Sequence, residues 1–184
     1  MKTLTMDNAA GKMHLGRRML DTLYDISAWL AALSMIGLLV MVLLAIIIRQ
    51  IGVNINGIDA YAGYSMAAAG FLALAPTLKK NEHIRVTLFT ARLAGATERG
   101  MEIWALAMGL LIACVFAYFS IRQAWVSYDI HDVSSGNDAT PLWIPQLTMA
   151  VGTVILLIAL LDELILELQG RRIQIVNEEG LRNE

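Results

Sequence analysis

Four stretches of this chain contain no Asp, Glu, Lys or Arg: residues 26–48, 60–78, 103–121 and 139–161. A helix rises about 1.5 Å per residue and a bilayer core is about 30 Å thick, so roughly 20 residues cross it. Each stretch is therefore long enough to span a membrane. The pattern predicts an all-α integral membrane protein with four transmembrane helices.

Between the stretches the chain turns polar. Residues 50–58 (QIGVNINGI) read as a short turn rich in Gly and Asn. Residues 13–25 repeat apolar positions at helical spacing (Leu15, Met19, Leu23, Ile26) beside Arg17 and Arg18. They read either as a basic amphipathic helix or as an extension of the first span. The first dozen residues are polar and are expected to be mobile. Pro76 lies in the last turn of span two and should weaken or bend it. Pro141 and Pro145 bracket the start of span four, where proline suits a first turn. The chain divides into a terminal segment (1–25), a four-helix membrane domain (26–168) and a polar tail (169–184).

The segment after span two, KKNEHIRVTLFTARLAGATERG, is the most charged in the protein. Arg85, Arg92 and Arg99 recur every seven residues with Val86, Phe89 and Leu93 beside them. That layout predicts an interfacial amphipathic helix, with its arginines at lipid phosphates.

Charge sets the orientation. Of 14 Lys and Arg, only Arg49 and Arg122 lie in the first and third connections; the other twelve lie before span one, between spans two and three, or after span four. The positive-inside rule places both termini and the middle connection in the cytoplasm, an N-in/C-in topology. Composition agrees with a membrane protein, at 57% hydrophobic and 16% charged. The basic connection is the expected flank of a span, not a nucleic-acid site.

Little in the spans carries chemistry. No ionisable side chain lies at mid-span; Asp59, Glu102, Asp162 and Glu163 all fall near predicted ends. His14, His83 and His131 lie outside the spans, where they cannot ligate an intramembrane haem. The single Cys114 forms no internal disulfide and reads as a packing residue. No nucleophile–base pair, phosphate loop or metal-spaced cluster occurs. The chain is not expected to be an enzyme, to hold a cofactor, or to transport a solute alone. What it offers is surface. Asp59, Gly63, Ala67 and Gly70 run along one side of span two, and small residues let helices approach closely in lipid. Their partner is either another span of this chain or another protein. Trp125 and Trp143 mark the outer boundary, where the connection 125–140 is a candidate contact surface.

The stretch Glu82-His83-Ile84-Arg85-Val86, just after the second of four spans, resembles the small membrane subunit (DctQ type) of the tripartite ATP-independent periplasmic, or TRAP, transporters. The acidic Asp59 opening span two, Gly70 at mid-span and Thr140-Pro141-Leu142-Trp143-Ile144-Pro145 opening span four agree with it. Thr87 departs from it, because the family often has Asp there. The resemblance covers about residues 24–169. It implies a scaffold subunit of a secondary-active, sodium-coupled importer in the bacterial inner membrane. The expected partners are a large multi-span carrier that holds substrate and Na+, a periplasmic substrate-binding protein, and membrane lipids. Organic anions or compatible solutes are the implied cargo. Within the resemblance, Glu82, His83, Ile84, Arg85, Val86, Arg92 and Arg99 form the motif and interfacial anchor. The competing reading is a membrane anchor subunit of a respiratory enzyme complex.

Overall fold

A computed structural model describes residues 3–53, 57–79, 96–134 and 139–169, with side chains from residue 17 onward except at 96 and 98. Four helices carry the fold: α1 (Thr3–Gln50), α2 (Ile58–Lys79), α3 (Ala96–Asp129) and α4 (Trp143–Leu168). All four are long and apolar enough to cross a membrane. In lipid this is the expected solution, because a helix satisfies its own backbone polar groups.

The helix ends differ from the apolar stretches. α1 runs unbroken through 48 residues, about 72 Å at helical rise. Residues 13–25 are thus an extension of the first span, not a separate helix. The helix begins at Thr3, well before the first apolar stretch. α4 starts four residues later than its apolar stretch. Ala139 holds a left-handed backbone (φ 47°), and Pro141 bridges to Val133, which keeps 139–142 in the turn. The turn after α1 uses Gly52 and Gly57 at φ 76° and 90°, where a side chain would be strained. The proposed interfacial helix lies outside the described residues, except for its last arginine, Arg99.

The helices pack in the order α1, α2, α4, α3: α1 lies on α2, α2 on α4, and α4 on α3. α1 and α3 form the edges. Among the described residues each packs closely on one helix only, and apolar side chains on both are exposed, as at Trp29, Leu33, Leu43, Trp104, Ile112 and Tyr118. Pairings fix the directions. Ser27 meets Leu72 and Gly37 meets Ser65, so α1 and α2 are antiparallel. Phe71 meets Gly152 and Lys79 meets Asp162, so α2 and α4 run parallel.

The interior is built from small side chains. Ala75 and Ala159, each about 1% exposed, pack with Tyr24 and Ile155. Ala31, Ala68 and Leu72 form a second cluster. On α3 the buried positions Leu106, Ala113, Ala117, Ser120, Ala124 and Ser127 recur at three, four and seven residues. That spacing makes one straight seam along a left-handed helix pair. Close approach of backbones, not apolar bulk, holds helices together in lipid.

Candidate functional site

The tightest interhelical contact is between α2 and α4. A Cβ at Gly152 would sit 2.5 Å from the Phe71 carbonyl oxygen and 2.6 Å from its carbon. Only glycine fits there. Phe71 then turns its ring toward Phe116 of α3, with centroids 5.9 Å apart.

Pro76 explains a second contact. It has no N–H, so the carbonyl of Leu72, four residues earlier, loses its helical donor. Ser27 of α1, about 1% exposed, supplies the replacement: its hydroxyl donates to the Leu72 oxygen at 2.5 Å. Thr77 spans the same turn, with its hydroxyl donating to Ala73 and Leu74 oxygens at 2.8 and 2.9 Å. The helix defect that Pro76 creates is thus converted into an α1–α2 tie. Ser27→Ala leaves a buried acceptor unpaired. It should lower the stability of the chain in detergent by about 1–2 kcal/mol, given that interhelical hydrogen bonds in membranes reach ~1.7 kcal/mol. A thermal melt followed by size-exclusion chromatography measures this. An unchanged midpoint would mean that the Leu72 carbonyl finds water or another donor.

Ion pairs join the ends of three helices on the side of the chain termini. Lys79 of α2 donates to Asp162 of α4 at 2.9 Å and has Glu163 at 3.8 Å. Its ammonium also lies 5.4 Å from the centre of the Tyr24 ring. Arg99 of α3 donates to the backbone oxygens of Glu167 and Leu168 at 3.1 and 3.2 Å, with the Glu167 carboxylate at 3.8 Å. These are terminal carbonyls that α4 cannot satisfy itself, and a cation there opposes the negative end of the helix dipole. Arg99 therefore caps α4.

At the opposite end the connection between α3 and α4 is folded onto the bundle. Ser134 N–H donates to the Thr140 oxygen at 2.8 Å, and Leu142 N–H to the Asp132 oxygen at 3.0 Å. The Thr140 hydroxyl donates to the Tyr61 oxygen of α2 at 3.2 Å. Tyr128 meets Trp143 edge-on at 5.8 Å and stacks on His131 at 6.5 Å. Thr140 through Pro145 therefore serve one local purpose: they close the turn, pin it to α2 and start α4. Trp125 is 71% exposed and Trp143 is half-buried. Both border an apolar groove of about 600 Å³ that runs along α4 from Trp143 to Ile158, with Leu23 at its far end.

The other sequence-derived residues separate into two groups. Glu82, His83, Ile84, Arg85, Val86 and Arg92 lie outside the described residues. On α2, Asp59, Gly63 and Gly70 are exposed and Ala67 is half-buried. A Cβ at Gly63 or Gly70 would meet nothing within 4 Å. Among the described residues the two glycines thus make no close interhelical contact, and the buried positions are Ala68, Ala69, Leu72 and Ala75 on the other side of the helix. Asp59 sits in the first turn of α2, where a carboxylate favours the positive helix end.

Sequence reasoning missed Ser27, Lys79 and Gly152. Pro76 signals a freed carbonyl at Leu72, and Lys79 and Asp162 carry opposite charges at the same end of two spans. Both signals need the helix order to become contacts. Gly152 is the only glycine of span four and carries no periodic signal.

The hydroxyls of Ser34, Ser120 and Thr153 each donate to a carbonyl of their own helix at 2.8–2.9 Å. No group of three His, Cys, Asp or Glu placed to hold a metal ion occurs among the described residues. The arrangement provides interhelical ties and open surfaces.

A search of curated proteins returns no match to this sequence. A family model, described as tripartite ATP-independent periplasmic transporters, DctQ component, matches residues 38–170. The match runs from the second half of α1 past the end of α4 and includes the Pro76 turn, Gly152, the Lys79–Asp162 pair and the folded outer connection. Well over half of the chain is matched, so this four-helix membrane protein belongs to the DctQ component family of the tripartite ATP-independent periplasmic transporters.

Proposed function

We propose that the chain is a scaffold that packs against and anchors a large multi-span carrier in the bacterial inner membrane. Both of its termini face the cytoplasm. The carrier holds the substrate and the coupling ion, Na+. Organic anions or compatible solutes reach it from a periplasmic binding protein, which touches the outer connection around Trp125 and Trp143. The segment containing Glu82, His83, Ile84, Arg85, Val86 and Arg92 forms an interfacial helix that fixes the scaffold while the carrier moves.

The observation that carries this reading is the outward stripe of Gly63, Ala67 and Gly70. Glycine inside a helix costs about 1 kcal/mol relative to alanine. Two glycines on the uncovered side of α2 bring no benefit to this chain alone, but they admit a helix of a second protein at close range. Purifying the tagged chain from its native membrane in mild detergent tests the reading. A much larger multi-span protein in near-equal amount is expected; recovery of the chain alone, or with a redox enzyme, overturns it.

Gly70→Leu sharpens the test. A Cβ at this position has no described neighbour within 4 Å, so the chain's own melting midpoint should hold. Recovery of the large partner should fall about tenfold, the effect of a ~1.4 kcal/mol loss in association. Full recovery of the partner would show that this side of α2 faces lipid.

A further inference from the structure

A second surface lies on the side of the chain termini, between α1 and α2. Tyr24, Asp25, Ala28, Trp29 and Ala32 of α1, with Pro76 and Lys79 of α2, enclose a pocket of about 370 Å³. It straddles the polar boundary. Asp25 is the last charged residue before the first apolar stretch, and Ala28 and Ala32 lie one and two turns deeper. Trp29 is 78% exposed beside them, as expected of an aromatic at the edge of hydrocarbon. One rim is therefore charged and the floor is apolar.

The charges are of both signs and stand in different situations. Lys79 is held by Asp162, but an ammonium has three donors, so it can also take a phosphate oxygen. Asp25 is exposed and has no ion-pair partner among the described residues. Asp162, Glu163 and Asp21 all act electrostatically on Tyr24, which lines the pocket. The rim thus offers one cation already paired with carboxylates and one free carboxylate. A purely anionic headgroup meets repulsion there. A headgroup carrying both a phosphate and a primary ammonium matches both groups: phosphate at Lys79, ammonium at Asp25, acyl chain along Ala28 and Ala32. A trimethylated headgroup has no N–H to donate to Asp25.

We infer that this pocket is a binding site for an aminophospholipid of the phosphatidylethanolamine type, in the leaflet on the side of the chain termini. The inference needs the helices to cross a bilayer. It does not need the carrier partnership, and the two can fail separately. A lipid held here wedges against the α1–α2 seam beside the Ser27–Leu72 bond.

The test uses the full chain with whatever co-purifies. It is placed in nanodiscs of equal parts phosphatidylethanolamine, phosphatidylcholine and phosphatidylglycerol with identical acyl chains. A photoreactive benzoylphenylalanine replaces Ala32 in one preparation and Leu33, which is 64% exposed on α1, in another. Irradiated adducts are identified by mass spectrometry. At Ala32, phosphatidylethanolamine adducts should exceed those of either other lipid about threefold, a preference that one exposed ion pair supports. At Leu33 the three should appear in equal parts. Asp25→Asn, an exposed change that leaves the helix contacts intact, should abolish the preference at Ala32. Equal adducts at both positions, a preference that survives Asp25→Asn, or cross-linking to a protein in place of lipid would each overturn the inference.

Discussion

Gly152→Leu should abolish the folded chain. A Cβ at this position already falls 2.5–2.8 Å from three atoms of Phe71, two of them backbone. A side-chain neighbour could rotate away, but a backbone neighbour moves only if the whole helix moves. Pushing α2 from α4 by even 1 Å also opens the contacts of Ala75 with Ala159 and Ile155, and those contacts have no long side chains to fill the gap. Overpacking a well-filled interior costs about 1–3 kcal/mol, a range that suits Gly152→Ala. Leucine adds three more carbons to the same clash and should exceed it. Size-exclusion chromatography of the purified chain measures the outcome. Gly152→Ala is expected to lower the melting midpoint by several degrees, and Gly152→Leu to leave no monodisperse peak. A leucine variant that melts with the parent would show that α2 and α4 are further apart than 2.5 Å implies.

The contrast with Gly70 explains how far the sequence could be read. Span number and rough position were legible because a 20-residue stretch without charge has few other uses. The outward stripe of α2 was legible as a stripe, but its direction was not. Small residues lie all round this helix, and only the burial of Ala68, Ala69 and Ala75 separates the inner side from that of Gly63 and Gly70. Gly152 was invisible for the opposite reason: a lone glycine makes no pattern, although it occupies the tightest contact. The capping role of Arg99 was not legible because it needs the end of α4 beside the start of the described part of α3. The start of α4 was misplaced because apolarity does not distinguish a turn held by Pro141 from the first turn of a helix.

α4 is the helix on which the others depend. It is flanked by α2 and α3 and receives Lys79 and Arg99 near its end. The edges α1 and α3 each have one packed side and one open side. A scaffold suits this layout. The central pair holds the shape while the uncovered sides remain available to another protein and to lipid.

Lys79→Glu, the second large effect, tests whether the end of that central pair is held by charge. The wild-type ammonium lies 2.9 Å from Asp162 and 3.8 Å from Glu163, with the side chains of Lys79, Asp162 and Glu163 only 23%, 21% and 11% exposed. Truncating one member of a fully buried pair costs about 3–5 kcal/mol, and an exposed pair is worth ~1 kcal/mol or less. For this partly exposed position Lys79→Ala should fall between, at about 1–3 kcal/mol. Lys79→Glu should cost more, since three carboxylates then share one site in parallel helices whose terminal carbonyls are already negative. The reversed pair Lys79→Glu with Asp162→Lys restores opposite charges at the same separation and should recover most of the loss. High salt should barely change the wild-type midpoint, because a partly buried pair is poorly screened. Equal destabilisation by the single reversal and the swapped pair would mean that Lys79 acts through its contact with the Tyr24 ring, not through Asp162. Recovery in the swapped pair would establish the ion pair as the tie that sets the parallel register of α2 and α4, one turn beyond the Ala75–Ala159 contact.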